Sequence, residues 1–266
     1  MLKDITIGQY IPGNSPIHRL DPRTKIIAVI IYMTALFVIN NQVGYYTILL
    51  FSLAIILLSK VPIHYFFKGL KPLIIIIILT VGLHIFMTPG TVVGTLGPLT
   101  ITKEGIRQGV FMGTRLILLI TVTSVLTLTT TPIALTDGIE KLLNPFKRIG
   151  VPAHELAMMM TIALRFIPTL IEETDKIMKA QMARGADFES GNLLQRAKAL
   201  IPLLVPLFLS AFRRADDLAM AMEARCYRGG ENRTRLKELK YSSLDAVAIV
   251  VISLLLAFAI YSRIAL

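Results

Sequence analysis

The chain has 266 residues, 54% of them hydrophobic and only 17% charged, against about 25% charged in a typical soluble domain. Its net charge of +11 is hard to reconcile with nucleic-acid binding in so apolar a chain, and points instead to basic loops beside anionic lipid head groups. The single cysteine, Cys226, excludes an intramolecular disulfide and argues against a cysteine metal site.

The first 25 residues lack an apolar stretch of the signal-peptide kind, so the first membrane helix is expected to direct insertion. A membrane-spanning helix needs roughly 20 mostly apolar residues. Five segments are candidates in chain order: 26–40, 42–59, 72–88, 106–128 and 246–266. The first two are joined too tightly for anything but a helical hairpin. Residues 60–71 read as a short loop, and residues 89–102 as a longer one, broken by Gly90, Gly94, Gly97 and Pro98. Arg115 falls inside the fourth span. An intramembrane charge costs about 2.5–3.5 kcal/mol on insertion scales, so Arg115 either makes a structural polar contact or snorkels to the outer interface.

Lysine and arginine placement sets the orientation. Lys3, Arg19, Arg23 and Lys25 precede the first span, and Lys60, Lys68 and Lys71 follow the second; the opposite side has little beyond Lys103, Arg107 and Arg263. The N-terminus is therefore expected in the cytoplasm, the loop near Pro89 outside, and residues 132–240 inside. Asp21-Pro22-Arg23, just before the first span, reads as an ordinary basic anchor with an aspartate turn or N-cap.

Residues 132–240 hold 17 of the 28 basic residues, which marks them as the basic inner region. Breaks at 144–145, 150–152 and 190–192 divide them into helices at 133–143, 153–184 and 193–225. The second helix has an apolar stripe of Leu156, Met160, Ala163, Ile167, Leu170 and Ile177, with i,i+4 pairs Glu172–Lys176 and Asp175–Lys179 outside it. The third has Phe208, Phe212, Ala215, Ala219 and Met222 at helical spacing, and a local Arg213–Asp217 pair. Small residues at Ala211, Ala215 and Ala219 predict a close crossing of these two helices. The uncharged stretch 199–212, interrupted by Pro202 and Pro206, suits a kinked helix buried in the membrane or lying along it.

The two long inner helices end alike: Ala183-Arg184-Gly185 in one, Ala224-Arg225-Cys226 in the other. Two readings stand side by side. The arginines could simply complement the helix dipoles, at about 0.3–1 kcal/mol each, with Gly185 as a C-cap. Alternatively, two matched tips present forked, permanently charged contacts to a pair of similar subunits.

Other chemistry is thin. His18, His64, His84 and His154 are scattered without metal-ligand spacing, Asp216-Asp217 is isolated, and no phosphate-binding loop occurs. The methionines at 158–160, 178, 182, 220 and 222 read as packing surface, either core or adaptable docking face.

The stretch Ile7-Gly8-Gln9-Tyr10-Ile11-Pro12-Gly13, the run His18-Arg19-Leu20-Asp21-Pro22-Arg23-Thr24-Lys25, the two Ala-Arg-small ends, and the run 213–225 resemble the transmembrane T component of energy-coupling factor (ECF) transporters over nearly the whole chain. The resemblance implies an all-α integral membrane protein of about five transmembrane helices plus long cytoplasmic coupling helices. Its divisions would be 1–131 (four spans), 132–240 (coupling region) and 241–266 (last span). It implies a non-catalytic scaffold of a bacterial cell-membrane importer, linking two ABC-type ATPase subunits to a small substrate-binding S component for vitamin or micronutrient uptake. Ala183, Arg184, Gly185, Ala224, Arg225 and Cys226 would form the ATPase-coupling motifs; Cys226 departs from the glycine common there. Pro202, Leu203, Pro206 and Phe208, in the uncharged stretch, are candidate S-component contacts. No cofactor is expected on this chain, since ATP and magnesium would sit on the partner ATPases. A conventional ABC permease with its own substrate path is the alternative. It is disfavoured because only Arg115 and scattered threonines such as Thr121, Thr123 and Thr127 line the spans. A membrane-embedded enzyme is disfavoured by the missing acid and metal clusters.

Overall fold

The computed structural model describes residues 10–96, 99–188, 192–230 and 238–265. Lys3, the Ile7-Gly8-Gln9 opening, the Gly97 and Pro98 breakers, Ser190 and Leu266 lie outside the described residues. The described chain is almost wholly helical: α1 (Pro16–Arg19), α2 (Pro22–Val38), α3 (Gln42–Ser59), α4 (Ile63–Leu70), α5 (Ile74–Met87), α6 (Lys103–Thr129), α7 (Pro132–Leu143), α8 (Ala153–Ala183), α9 (Leu193–Ala199), α10 (Ile201–Ala224) and α11 (Ser243–Ala265). Two short strands, β1 (Val92–Leu96) and β2 (Leu99–Thr102), form one antiparallel hairpin. Two compact units emerge: Ile139–Glu238, and the described residues up to Gly138 together with those from Leu239 on.

Helix starts follow local capping chemistry. Asp21 caps α2, its Oδ1 accepting from the Arg23 N–H at 2.8 Å, with Pro22 in the first turn. The Asn41 side chain accepts from the Gly44 N–H at 3.0 Å to start α3, and Thr102 Oγ1 accepts from the Gly105 N–H at 3.0 Å to start α6.

Among the described residues, five helical stretches are long and apolar enough to cross a membrane: Gln42–Ser59, Ile63–Met87, Lys103–Thr129, Ala153–Ala183 and Ser243–Ala265. The set differs from the five sequence segments at two places. At 17 residues, α2 falls short. Conversely, α8 qualifies because its charges gather in its C-terminal half and leave its first half rich in Met, Leu and Ile.

Three other expectations are corrected. Residues 60–71 are not a loop: Ile63, Phe66, Phe67 and Leu70 recur at helical spacing, α4 forms, and Phe66 is buried. Residues 89–102 hold the hairpin, because Val92, Val93, Ile101 and Thr102 favour extended backbone. The Glu104 carboxylate accepts from the Thr91 N–H at 2.7 Å beneath it. The inner helix expected over 193–225 is two helices, since Pro202 supplies no N–H to bridge the turn at Leu200 and sits in the first turn of α10 instead.

In the second unit, α2, α3, α6 and α11 surround a core of Tyr32, Leu36, Ile39, Ile48, Leu118, Val122, Ile252 and Leu255. Two polar pairs lie beside it: the Tyr32 hydroxyl meets Ser52 Oγ at 2.6 Å, and Asn41 Nδ2 donates to the Ser262 carbonyl at 2.6 Å. On α6, Gly105, Gly109 and Gly113 repeat every four residues and are buried. A Cβ on Gly105 would lie 2.7 Å from the Ile85 carbonyl oxygen, and one on Gly113 2.8 Å from a Val81 methyl. Glycine there lets α5 lie directly against α6, as small residues do between membrane helices.

A buried polar brace gathers the N-terminal segment. Arg23 forks onto Asp21 (Nε to Oδ1 3.0 Å, Nη2 to Oδ2 2.9 Å), donates to the Leu239 carbonyl at 3.2 Å and lies 3.9 Å over the Tyr241 ring. Asp245, 1% exposed, accepts from the backbone N–H groups of Asp21 (2.8 Å) and Ser242 (2.7 Å). Lys25 Nζ donates to the Thr129 carbonyl at 2.9 Å and Thr130 Oγ1 at 3.1 Å. Burial alone would raise the Asp21 carboxyl, but the Arg23 fork, the Arg23 backbone N–H and nearby cationic charge outweigh it and hold the group below the usual aspartate range.

Candidate functional site

The two Ala-Arg-small ends adopt the same backbone. Arg184 closes α8 at φ −90°, ψ 6°, and Arg225 closes α10 at φ −94°, ψ 16°. After Arg184, the Gly185 N–H donates to the Met182 carbonyl and the Ala186 N–H to the Gln181 carbonyl, both at 3.0 Å. After Arg225, the Cys226 N–H donates to the Glu223 carbonyl at 2.8 Å and the Tyr227 N–H to the Met222 carbonyl at 3.0 Å. Both are Schellman closures, in which the residue after the cap turns left-handed. Gly185 does so at φ 88° and Cys226 at φ 56°. Glycine enters that region freely, whereas a Cβ there is strained. The departure at Cys226 is thus a residue tolerating a glycine conformation, with the turn preserved.

Ala183, Arg184, Gly185, Ala224, Arg225 and Cys226 are all exposed. Neither arginine side chain makes a hydrogen bond or ion pair among the described residues. A long cation on a fixed helix end, with its fork free, can enter a partner's groove and meet carboxylates or carbonyls.

The helices bearing these tips pack on each other through few buried groups. Only Ala153 and Ala157 of α8 and Leu203 of α10 are buried. Between the helices Arg214 Nη2 meets Glu173 Oε2 at 2.9 Å, with side chains 40% and 23% exposed. The close crossing expected at Ala211, Ala215 and Ala219 is displaced: Ala211 is half-buried but Ala215 and Ala219 are exposed, and the inward row is Leu207, Arg214, Leu218 and Met222. Phe208 and Phe212 are 61% and 68% exposed. Where the surroundings are lipid or protein, an apolar stripe does not mark the inward face, so the sequence pattern chose the wrong row. The local pair Asp175–Lys179 forms at 2.6 Å, whereas Arg213 and Asp217 are exposed and make no ion pair among the described residues.

Of the four candidate S-component contacts, Pro202, Pro206 and Phe208 are exposed and Leu203 is buried, so Leu203 supports the surface from beneath. Arg115 Nη2 donates to the carbonyl of Ile39, at the end of α2, at 3.0 Å, and its guanidinium lies within 5.7 Å of the Phe37 and Tyr45 ring centres. No group of three or more metal-ligating side chains occurs among the described residues. Sequence reasoning missed His154, Glu140 and Tyr227, which meet beside the Arg225 tip. The Gly229-Gly230 pair after Tyr227 signals a tight turn, but nothing local reveals what it wraps.

Together these features define a class: an all-α multi-pass membrane protein presenting two matched, arginine-tipped helix ends. Comparison with known proteins narrows it. The family model CbiQ, described as cobalt transport protein, matches residues 13–236. The chain is 65% identical over 262 residues to the energy-coupling factor transporter transmembrane protein EcfT of Thermosediminibacter oceani, covering 98% of this chain and 99% of the relative. It is 60% identical to the EcfT of Clostridium kluyveri (99% and 98% covered), and 50% identical to that of Bacillus subtilis (99% and 100% covered). The chain belongs to the EcfT family of transmembrane components of energy-coupling factor transporters.

Proposed function

We propose that this chain is the scaffold that converts ATP-driven closure of two ABC-type ATPase subunits into movement of a small substrate-binding membrane subunit during vitamin or micronutrient uptake. The observation that carries the reading is the pair of matched helix closures, each projecting an arginine, Arg184 and Arg225, that makes no hydrogen bond or ion pair among the described residues. Two similar ATPases would receive two similar tips. When their grooves approach, the tips travel with them and change the angle between α8 and α10. That pair is suited to it, having little buried contact to break and one half-exposed ion pair at its crossing.

The S component would lie against the exposed apolar face of α10, with Pro202, Pro206 and Phe208 at its centre. The chain itself is read as non-catalytic and as binding no cofactor; ATP and magnesium belong to the partner ATPases. The N-terminus and residues 132–240 face the cytoplasm, in a bacterial cell membrane. The hydroxyls of Thr121, Thr123 and Thr127 donate to carbonyls of their own helix at 2.7–3.0 Å, which argues against a polar permeation path through the spans.

The test is charge reversal. Arg184→Glu or Arg225→Glu should abolish ATPase docking or uptake while the chain inserts and melts as before. Reversal in a desolvated groove costs several kcal/mol, here taken as about 3–5. Normal uptake in both variants would overturn the coupling role. Affinity purification of the native chain should bring down two ATPases and a small hydrophobic subunit in constant ratio.

A further inference from the structure

The two arginine tips share a backbone but differ in the second residue beyond each arginine. After Gly185 comes Ala186, which has nothing beyond Cβ. After Cys226 comes Tyr227, whose hydroxyl lies 3.4 Å from His154 Nε2. His154 stands in the first turn of α8, and its Nδ1 lies 3.1 Å from Glu140 Oε1 of α7, with side chains 21% and 13% exposed. In the neutral imidazole this arrangement pairs an Nδ1–H donor with the carboxylate and an Nε2 acceptor with the tyrosine hydroxyl. The chain then folds over the imidazole. Gly229 turns at φ +86°, and a Cβ on Gly230 would lie 2.5 Å from the His154 ring, so the backbone itself covers the histidine.

Tyr227 therefore does two things at once. Its backbone N–H closes the end of α10 on the Met222 carbonyl at 3.0 Å, and its side chain reaches the start of α8. A shift of the Arg225 backbone would therefore pull on the Tyr227 contact with His154. A polar cavity of about 550 Å³ beside Glu140, His154 and Gly229-Gly230 leaves the segment room to disengage.

We propose that Tyr227, His154 and Glu140 form a latch that fixes the Arg225 tip to the α7–α8 joint, making Arg225 the held contact and Arg184 the yielding one. These are positioning residues, and their role in transport rests on the coupling reading above.

The native cysteine provides the probe. Cys226 is exposed and unique in the sequence, so a nitroxide there reports the Arg225 tip in the full chain, in lipid nanodiscs with its co-purifying subunits. A label at Gly185→Cys in a Cys226→Ser background reports the other tip. The label at 226 should be the more ordered, and Tyr227→Ala should release it while leaving 185 unchanged. Tyr227→Phe, which keeps the ring and loses the hydroxyl, should fall between, and carries the test if Tyr227→Ala does not assemble. In the reconstituted complex, substrate moved per ATP hydrolysed should fall roughly two- to thirtyfold on release of the latch, with subunit assembly intact. An unchanged spectrum at 226, or equal release at both tips, overturns the latch. Release with unchanged uptake per ATP overturns its positioning role but leaves the coupling reading standing. If Arg225→Glu transports normally, the coupling reading and the positioning role fall together, while the label spectra still decide whether the latch exists.

Discussion

In the bundle of α2, α3, α6 and α11, charged groups are buried with partners: Asp245 is 1% exposed and accepts two backbone N–H groups, and Lys25 is 6% exposed with two partners on the α6 end, while Thr24 Oγ1 and Arg115 Nε are buried without one. In the α8–α10 pair, Arg214 and Glu173 meet half in the open, and only three residues of the two helices are buried. A buried polar group without its partner costs free energy, so the first arrangement tolerates one geometry. An exposed ion pair costs little to break, so the second tolerates several. The proposed scaffold role, in which one region stays anchored while two helices change angle, would use both kinds of contact.

That contrast can be broken experimentally. The largest effect belongs to the arginine reversals, which should abolish uptake without lowering thermal stability, because the tips contribute nothing to packing. Next comes Asp245→Ala. It strips the acceptor from two N–H groups, at about 1–3 kcal/mol for each donor left bare, and circular dichroism melting in detergent should show a clear drop. If Asp245→Ala melts like the native chain, the brace is not what holds the bundle.

Acid provides a gentler probe of the same brace. The folded-state carboxyl of Asp21 sits below its ordinary value, so its contribution is complete above about pH 4 and is lost as the pH falls through the depressed folded value. Asp21→Asn should melt lower than the native chain at neutral pH, and the gap should close only in that acid window. A gap that closes near neutrality would assign it to another group.

The helix ends give an effect of about 1 kcal/mol and of opposite sign. Gly185→Ala puts a Cβ into a left-handed turn and should destabilise, whereas Cys226→Gly removes one and should stabilise. Smallest of all, Arg214→Ala should change stability by less than about 1 kcal/mol. A loss as large as that of Asp245→Ala would erase the distinction between the two regions.

Much of this was legible beforehand because spans and helix ends are local. Apolar run length gave α3 residue for residue, and the capping residue Asp21 stands where α2 begins. The paired Arg184 and Arg225 ends were visible as a repeat. The hairpin over Val92–Thr102 and the break at Leu200 were not, since β-branched residues in a glycine-rich loop and one proline in an apolar run each permit two structures. The inward face of α10 was misread because hydrophobicity ceases to report burial when the surroundings are themselves apolar.

The sequence by itself determined the membrane class, the basic character of residues 132–240 and the two arginine tips, because these depend on composition and on contacts within one or two helical turns. Only the tertiary structure decided which distant groups meet: Asp245 with the backbone of Asp21, Arg115 with the end of α2, and Tyr227 with His154. Those pairings join residues 224, 76 and 73 positions apart. No local propensity encodes them; they exist because leaving a buried polar group bare costs free energy, which favours packings that bring partners together.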